Sequence, residues 1–503
     1  MKKHLFIILF AALASMMFVS CKSNRTDLSS KEQSITIDNI GNCRIGVLIG
    51  STHDQYISKN FPDSKIFRFN SIPDLTTAIT SKQCDVILMS EEILPELRSS
   101  DTNFSSIGTA FSESFGVGFN KSNQELRDAF NTVLKEMKES GLYDSLRIKV
   151  VNKQFDDPLF SHPEVQGEPV KVGLIVQNSE FCYIQEKNFY GIEPELCRYL
   201  GDAIHRPIEF CLMDFGALIP SLVSNKIDMI VSTLCITEER QKQILFSEPY
   251  ASSNVSVVIY TEDGTHKSSV NIVEKTKESF YSNFVKEARW KMIVEGLWKT
   301  IIITIFAILI GTLIGCIICW MNMSNSKLLQ VISRIFIEVL RDVPILVFLM
   351  LMFYVVFAHS NVTATCVAII AFAMNFGAFT SVMFKTGIEG VDRGQHEAGM
   401  ALGFSKTGTF FNFIAPQALN SIVPLFKNEA VSLLKNTSIV GYIAIQDLTK
   451  VSDIIRSRTF DAFFPLIIVS IVYFILAWLI GKSLDMLVHK KEVKKVKRNE
   501  RKS

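Results

Sequence analysis

The sequence predicts a two-lobed α/β domain followed by an all-α transmembrane domain of about five helices. Three observations carry this. Residues about 43 to 262 alternate short Val/Ile runs with amphipathic helical segments, residues about 290 to 484 are strongly apolar, and polar stretches at 22 to 40 and 263 to 285 separate them. At 503 residues, 48% hydrophobic and only 20% charged, the chain exceeds one ordinary domain and part of it belongs in lipid.

The opening residues read as an export signal: Lys2 and Lys3, an apolar run from Leu5 to Val19, then Ser20-Cys21. The run is short for a spanning helix of about 20 residues. The small residue before Cys21 resembles a bacterial lipobox, which implies a lipidated Cys21 at the mature N-terminus; an uncleaved anchor or an ordinary cleaved signal would export the rest equally. The expected division is 1–20 signal, 21–42 lipidated linker, 43–155 one lobe, 156–169 linker, 170–262 the other lobe, and 263–289 linker. A membrane domain at 290–484 and a basic tail at 485–503 complete it.

Within the exported part, Arg44 to Ile49 and Val86 to Met89 read as short buried strands, and Asn123 to Ser140 as a helix ended by Gly141. From Lys171 to Ser232 strands and helices alternate again, so both lobes should carry largely parallel sheets. The scattered cysteines have no metal-like spacing, and no metal or cofactor is expected.

Five spans are expected: Leu297 to Trp320, Val343 to Ala358, Thr365 to Phe384, a weaker one within Ile422 to Ile445, and Phe463 to Ile480. With the α/β domain outside, basic residues fall inside at 327–341, 385–406 and in the tail, whose last fifteen residues hold eight Lys or Arg. The segment Gln446 to Asp461, with Lys450, Arg456 and Arg458, is the exception, because it puts basic residues outside. The tail lies beside a bilayer and carries no recognition motif, so nucleic-acid binding is not expected.

Between the third and fourth expected spans lies Glu397-Ala398-Gly399-Met400-Ala401-Leu402-Gly403, followed by Pro416-Gln417-Ala418. Glu397 to Leu402 can form a short helix with small residues on one side, able to nest in a groove of another protein, and Gly403 supplies a backbone break. This loop, 385–418, resembles the EAA coupling loop of ABC importer permeases, with Gly399 in place of the second Ala. Arg341-Asp342-Val343-Pro344, Ala371 to Ala378 and Lys427 to Ser438 fit the polar amino-acid permeases, histidine and glutamine type, over about 200 residues. The resemblance implies docking of a separate ABC ATPase and pairing with a second permease copy as a homodimer. No GxxxxGK[ST] phosphate loop is present, so ATP hydrolysis is assigned to another chain and this one is not an enzyme. Glu429 and Lys435 in the weaker span should face protein or water, as a translocation path or as a structural contact.

Residues 168 to 262 resemble the first lobe of periplasmic amino-acid-binding proteins, and 43 to 153 the second lobe and its return. The order is reversed, which implies either a circular permutation or halves of two different domains. The match gives Arg240 the ligand carboxylate, which its planar fork suits. Thr233, and from the other lobe Ser51 and Thr52, can add donors, while Phe215 should stack on the ligand with Phe181 or Tyr183 opposite. The family's carboxylate for the ammonium falls at Ser90, with Glu91 adjacent. Gln177 stands where binders of basic amino acids often have Asp. An unpaired buried ammonium is costly, so either Glu91 turns inward, or the ligand is not a standard amino acid, or binding is lost. The function implied is import of an amino acid or similar small polar solute across a bacterial inner membrane, with the binding domain periplasmic and the tail cytoplasmic. The rival is a ligand-gated receptor or channel with a two-lobed sensor.

Overall fold

The computed structural model describes residues 35–151, 166–261 and 277–500, apart from 176–178, 186, 187, 278, 359, 361, 460 and 462. The export segment with Cys21, most of the two linkers and Gln177 lie outside the described residues.

Numbered in chain order, which reverses the order of the resembled family, the first lobe begins with β1 (Arg44–Leu48), α1 (Thr52–Asn60), β2 (Lys65–Phe69), α2 (Ile72–Thr80), β3 (Val86–Ser90) and α3 (Leu94–Ser100). Both expected strands form, and β3 is buried at every position, as a continuous apolar run in a covered sheet requires. Ser51 and Ser71 cap α1 and α2 by accepting from the backbone N–H of Asp54 and Asp74. Strand β4 (Phe104–Phe115) forms an edge of this sheet, and after Gly116 the chain crosses to a second one at β5 (Gly118–Phe119).

The second lobe continues through α4 (Gln124–Glu139), α5 (Leu142–Val151), β6 (Val170–Leu174) and a hairpin of β7 (Tyr183–Gln185) and β8 (Asn188–Tyr190). It goes on with α6 (Ile192–Ala203), β9 (Ile208–Leu212), α7 (Phe215–Val223), β10 (Met229–Ile230), α8 (Glu238–Gln241) and β11 (Leu245–Phe246). Strand β12 (Ala251–Tyr260) returns to the first sheet. The strand orders are β2-β1-β3-β12-β4 and β11-β5-β10-β6-β9.

The lobes therefore do not divide at 155 to 170 as the sequence suggested. Residues 117–151 pack in the second lobe, where Phe119, Phe130 and Leu134 share a core with Val172, Leu196 and Met229. Strand β12, assigned from sequence to the 170–262 piece, pairs antiparallel with β3 and β4 of the first. Alternation identifies a strand but not the sheet it joins, so the two crossing strands were invisible to it.

The membrane domain opens with α9 (Trp290–Met323), 34 residues long, packed against α12 (Ala364–Glu389) below. Glycines permit this approach: a Cβ on Gly311 would lie 2.7 Å from the carbonyl oxygen of Ala373. Between these two helices, α10 (Lys327–Asp342) and α11 (Ile345–Leu351, continuing to Val356) meet at 109°. This corrects the expected straight span at 343–358. Pro344 disfavours helix at the residue before it. At about 1.5 Å per residue, Ile345–Val356 rises roughly 18 Å, short of a hydrocarbon core of about 30 Å.

After α12 come α13 (Arg393–Ala401), α14 (Lys406–Thr409), α15 (Ala415–Asn436), α16 (Leu448–Thr459) and α17 (Phe464–Glu500). Among the described residues three helices are long and apolar enough to cross a membrane, or four if the bent pair is one span. Helix α15, the weaker expected span, falls outside that set yet joins the bundle, with Phe426 edge-on to Phe376 and Lys427 2.6 Å from Asp485 of α17. Helix α16 is no span; it lies against the α/β domain, contacting α2.

Candidate functional site

The two lobes meet over a small cavity of about 50 Å³, and the β1-to-α1 turn reaches it first. Gly50 there takes φ +71°, a conformation glycine adopts at little cost, and places Ser51, Thr52 and His53 against the cleft. Ser51 Oγ donates to the carbonyl of Leu48 at 2.7 Å while accepting from Asp54 N, so its hydroxyl is already engaged. Thr52 instead points across the cleft, donating to Glu113 Oε2 at 2.6 Å and lying 3.5 Å from Cys235 Sγ of the second lobe.

Glu113, on crossing strand β4, is the centre of this site and was missed from sequence. It is 8% exposed and accepts from Ser90 Oγ at 3.0 Å and Cys235 Sγ at 2.8 Å, with His53 Nε2 at 3.7 Å. Burial alone would push its carboxyl up. Hydrogen bonding and charge from His53, with the bonds from Cys235 and Thr52, outweigh burial and hold it at about 2, so it stays ionised. The signal available in the sequence was weak, an acid flanked by serines on a strand that reads as half exposed.

Arg240 faces the same cavity from α8, buried at 6% exposure. Its guanidinium donates to the carbonyl of Cys235 at 2.9 Å and, across the lobes, to that of Gly50 at 3.2 Å. Phe215 lies beneath it, 5.4 Å from guanidinium carbon to ring centroid. Thr233 lines the cavity with φ +42°, its N–H held by the Glu193 carboxylate. Arg240, Thr233, Ser51, Thr52, Phe215 and Ser90 thus converge on one cavity.

Three expected residues do not. Phe181 is buried in the second-lobe core, edge-on to Phe115 at 5.6 Å and to Tyr250 at 6.3 Å, while Tyr183 stacks on Tyr190. Glu91 does not turn inward. Ser90 takes the cleft side, and the Glu91 carboxylate is held instead by Ser256 at 2.8 Å and by Thr109 and Asn254, each at 3.2 Å.

A second cavity of about 420 Å³ opens between the cleft mouth and the membrane domain, sharing Leu48, Ile72, Ile175 and Phe215 with the first. Met350, Ser438 and Tyr442 form its membrane-domain wall.

At the other end of the membrane domain, Asp392 caps α13 by accepting from Gly394 N at 2.6 Å, and Gly403 at φ +84° ends it. Glu397, Ala398 and Ala401 are exposed, as are Leu402 at 71% and Phe411 at 66%, an apolar surface of the kind that marks an interaction site. Gly399 is buried against Thr409, whose side chain occupies the space an alanine methyl would need. Glu429 is half-buried and Lys435 exposed on α15. Six positions apart, they sit about 120° apart around the helix, and so do not form one polar patch.

Two family descriptions match. Residues 170–344 match the bacterial extracellular solute-binding proteins, family 3, and 307–491 match the binding-protein-dependent transport system inner membrane component. A putative glutamine transport permease, GlnP, of Rickettsia typhi is 30% identical over 191 residues, 38% of this chain and 88% of that protein. The chain belongs to the binding-protein-dependent permease family of ABC transporters. The L-cystine permease TcyB of Bacillus subtilis is 30% identical over 209 residues, covering 41% and 88%. Among solved structures, an amino acid ABC transporter crystallised with histidines matches at 32% identity and TM-score 0.38, over 44% of this chain and 99% of that one. The protein is therefore a permease subunit with a solute-binding domain on the same chain, a transport component and not a ligand-gated receptor.

Proposed function

We propose that this permease imports an α-amino acid, or a close analogue, across a bacterial inner membrane, driven by a separate ATPase. The observation that carries the substrate class is the pairing, in one buried cleft, of an ionised carboxylate, Glu113, with a guanidinium, Arg240. A zwitterion offers the complement of each. Its ammonium replaces the neutral donors Thr52, Ser90 and Cys235 on Glu113, so a family acid absent at Ser90 is supplied from β4. Its carboxylate takes the fork of Arg240, which meanwhile rests on backbone carbonyls. Phe215 packs the apolar part. The names of the matched relatives, glutamine and cystine permeases, agree with this class.

The sheet membership supports reading the domain as one circularly permuted unit. The family match starts at Val170, where β6 opens, while residues 44–151 supply strands to both sheets. The exposed surface around Glu397, Leu402 and Phe411 is the dock for the ATPase, and a homodimer would present two such docks. The α/β domain is periplasmic, Cys21 is its lipid anchor, and the tail is cytoplasmic; Glu429 and Lys435 belong to the translocation path.

The test is thermal unfolding of the detergent-solubilised full chain against the twenty amino acids and short peptides. A raised transition with one amino acid, abolished in Arg240→Ala, is expected. No shift across the panel would overturn the substrate class.

A further inference from the structure

The basic segment that sequence placed on the wrong side of the membrane has partners. Lys450 of α16 pairs with Asp214, the residue before α7 in the second lobe, and Arg456 Nη2 lies 2.7 Å from Asp74 Oδ1 in the first turn of α2 in the first lobe. Arg456 also holds Asp453 at 3.0 Å. One short helix of the membrane domain thus grips both lobes. The two carboxylates lie on opposite lips of the cleft, and both line the larger cavity beneath it.

Helix α16 is itself fixed. Asp447, fully buried, caps its first turn through Thr449 N and Lys450 N, and accepts from Tyr473 Oη at 3.1 Å. Gly296 of α9 lets the backbone approach so closely that a Cβ there would lie 2.9 Å from the Asp447 carbonyl oxygen. Leu448, Val451, Ile454 and Ile455 are buried against Met292, Ile293 and Val469. Lys450 and Arg456 are six residues apart, about 9 Å along the axis, on a support that does not stretch.

The lobes can part only by turning about their two connections, at 115–118 and 246–251. Such a turn carries Asp74 and Asp214 away from each other, while Lys450 and Arg456 keep their spacing, so at least one ion pair breaks. The second lobe has further holds on the membrane domain: Lys226 donates to the carbonyl of Phe357, and Ser221 Oγ lies 3.3 Å from Tyr354 Oη.

We propose that α16 is a strap that holds the binding domain closed on its own permease, so that docking and lobe closure stabilise each other before any solute arrives. This does not rest on the amino-acid assignment. Because coupling is reciprocal, whatever opens the lobes weakens the strap by the same factor.

Hydrogen exchange of the full chain in detergent, without solute, tests this. The paired variants are Asp74→Asn with Asp214→Asn, whose parents are about two-fifths exposed, and independently Lys450→Gln with Arg456→Gln. Each pair should speed exchange about fivefold or more in the cleft segments 48–53 and 233–240, while Val86–Ser90 and Val170–Leu174 keep their protection. Cleft exchange unchanged in both pairs, or a rise equal in those core strands in both, overturns the proposal.

Discussion

Replacing Glu113 with glutamine keeps the side chain's shape and removes its charge. In the cleft the carboxylate accepts from Thr52 at 2.6 Å, Ser90 at 3.0 Å and Cys235 at 2.8 Å, all neutral donors. An amide oxygen can retain part of that set, and the substitution also removes the charge facing His53, 3.7 Å away, so the share owed to the solute's ammonium is the difference between the amino acid and its des-amino analogue. A hydrogen bond to a charged group contributes about 1.5–3 kcal/mol, and every 1.4 kcal/mol is tenfold in affinity. The dissociation constant for the α-amino acid that most stabilises the wild type should therefore rise roughly 10- to 150-fold. Its des-amino analogue, which has a carboxylate but no ammonium, should bind both proteins equally weakly. Isothermal titration calorimetry on the solubilised full chain reads both. Equal weakening toward amino acid and analogue, or none toward either, refutes the assignment of Glu113 to the ammonium.

Other outcomes follow from the same geometry. Arg240→Lys keeps a charge but loses the planar fork, so affinity should fall at least about tenfold, since one charge-assisted bond is worth about 1.5–3 kcal/mol; calorimetry against the same amino acid checks it. Burial pushes the Glu193 carboxyl up to about 7, despite bonds from Tyr250 and Thr233 N, against an ordinary value of 4.5. A raised acid stabilises the fold below its unfolded value and loses that contribution as pH rises through the folded one. The domain should therefore lose about 3 kcal/mol between pH 4.5 and 7 from this group. Glu92, also raised to about 7 by burial, adds the same sign, and Glu113 titrates below the window. Glu193→Gln should flatten the dependence of the melting temperature over that range. Gly399→Ala drives a methyl into the Thr409 side chain and should cost about 1–3 kcal/mol locally. The readout is weaker recovery of the ATPase with the purified permease, restored by adding Thr409→Ala, which removes a buried hydroxyl with no hydrogen-bond partner among the described residues.

Local chemistry was legible where it was self-contained. Val86 to Ser90 had to be buried because nothing in it is polar until its end, and Glu397 to Gly403 carried both its helix and its break. What needed three dimensions was lost. Val117 to Val151 read as belonging with the residues before it, because neither Gly116 nor the strand around it signals a change of sheet. Ser112-Glu113-Ser114 looks like a solvated edge, and only the fold delivers Thr52, Ser90 and Cys235 to that acid. By sequence Glu91 is the natural substitute for Ser90, but the next residue after a strand faces elsewhere, and Ser256 and Asn254 of β12 hold it there. Val343 to Ala358 was apolar enough for a span; the 109° bend belongs to Pro344 and to the amphipathic helix before it.

Strands β1 and β12, the first and last of the α/β domain, are in one sheet, separated by β3 alone. Both ends of the domain therefore leave from the same lobe, which becomes the jamb of a door, while the lobe holding Arg240 is the leaf, reached by the chain only through the jamb and held to the membrane domain by side-chain contacts alone. A pull transmitted along the chain from either side would load the jamb and leave the hinge slack. The swing of the leaf is then decided by the surface it rests on, so the membrane domain below acts as doorkeeper without bearing the domain's weight.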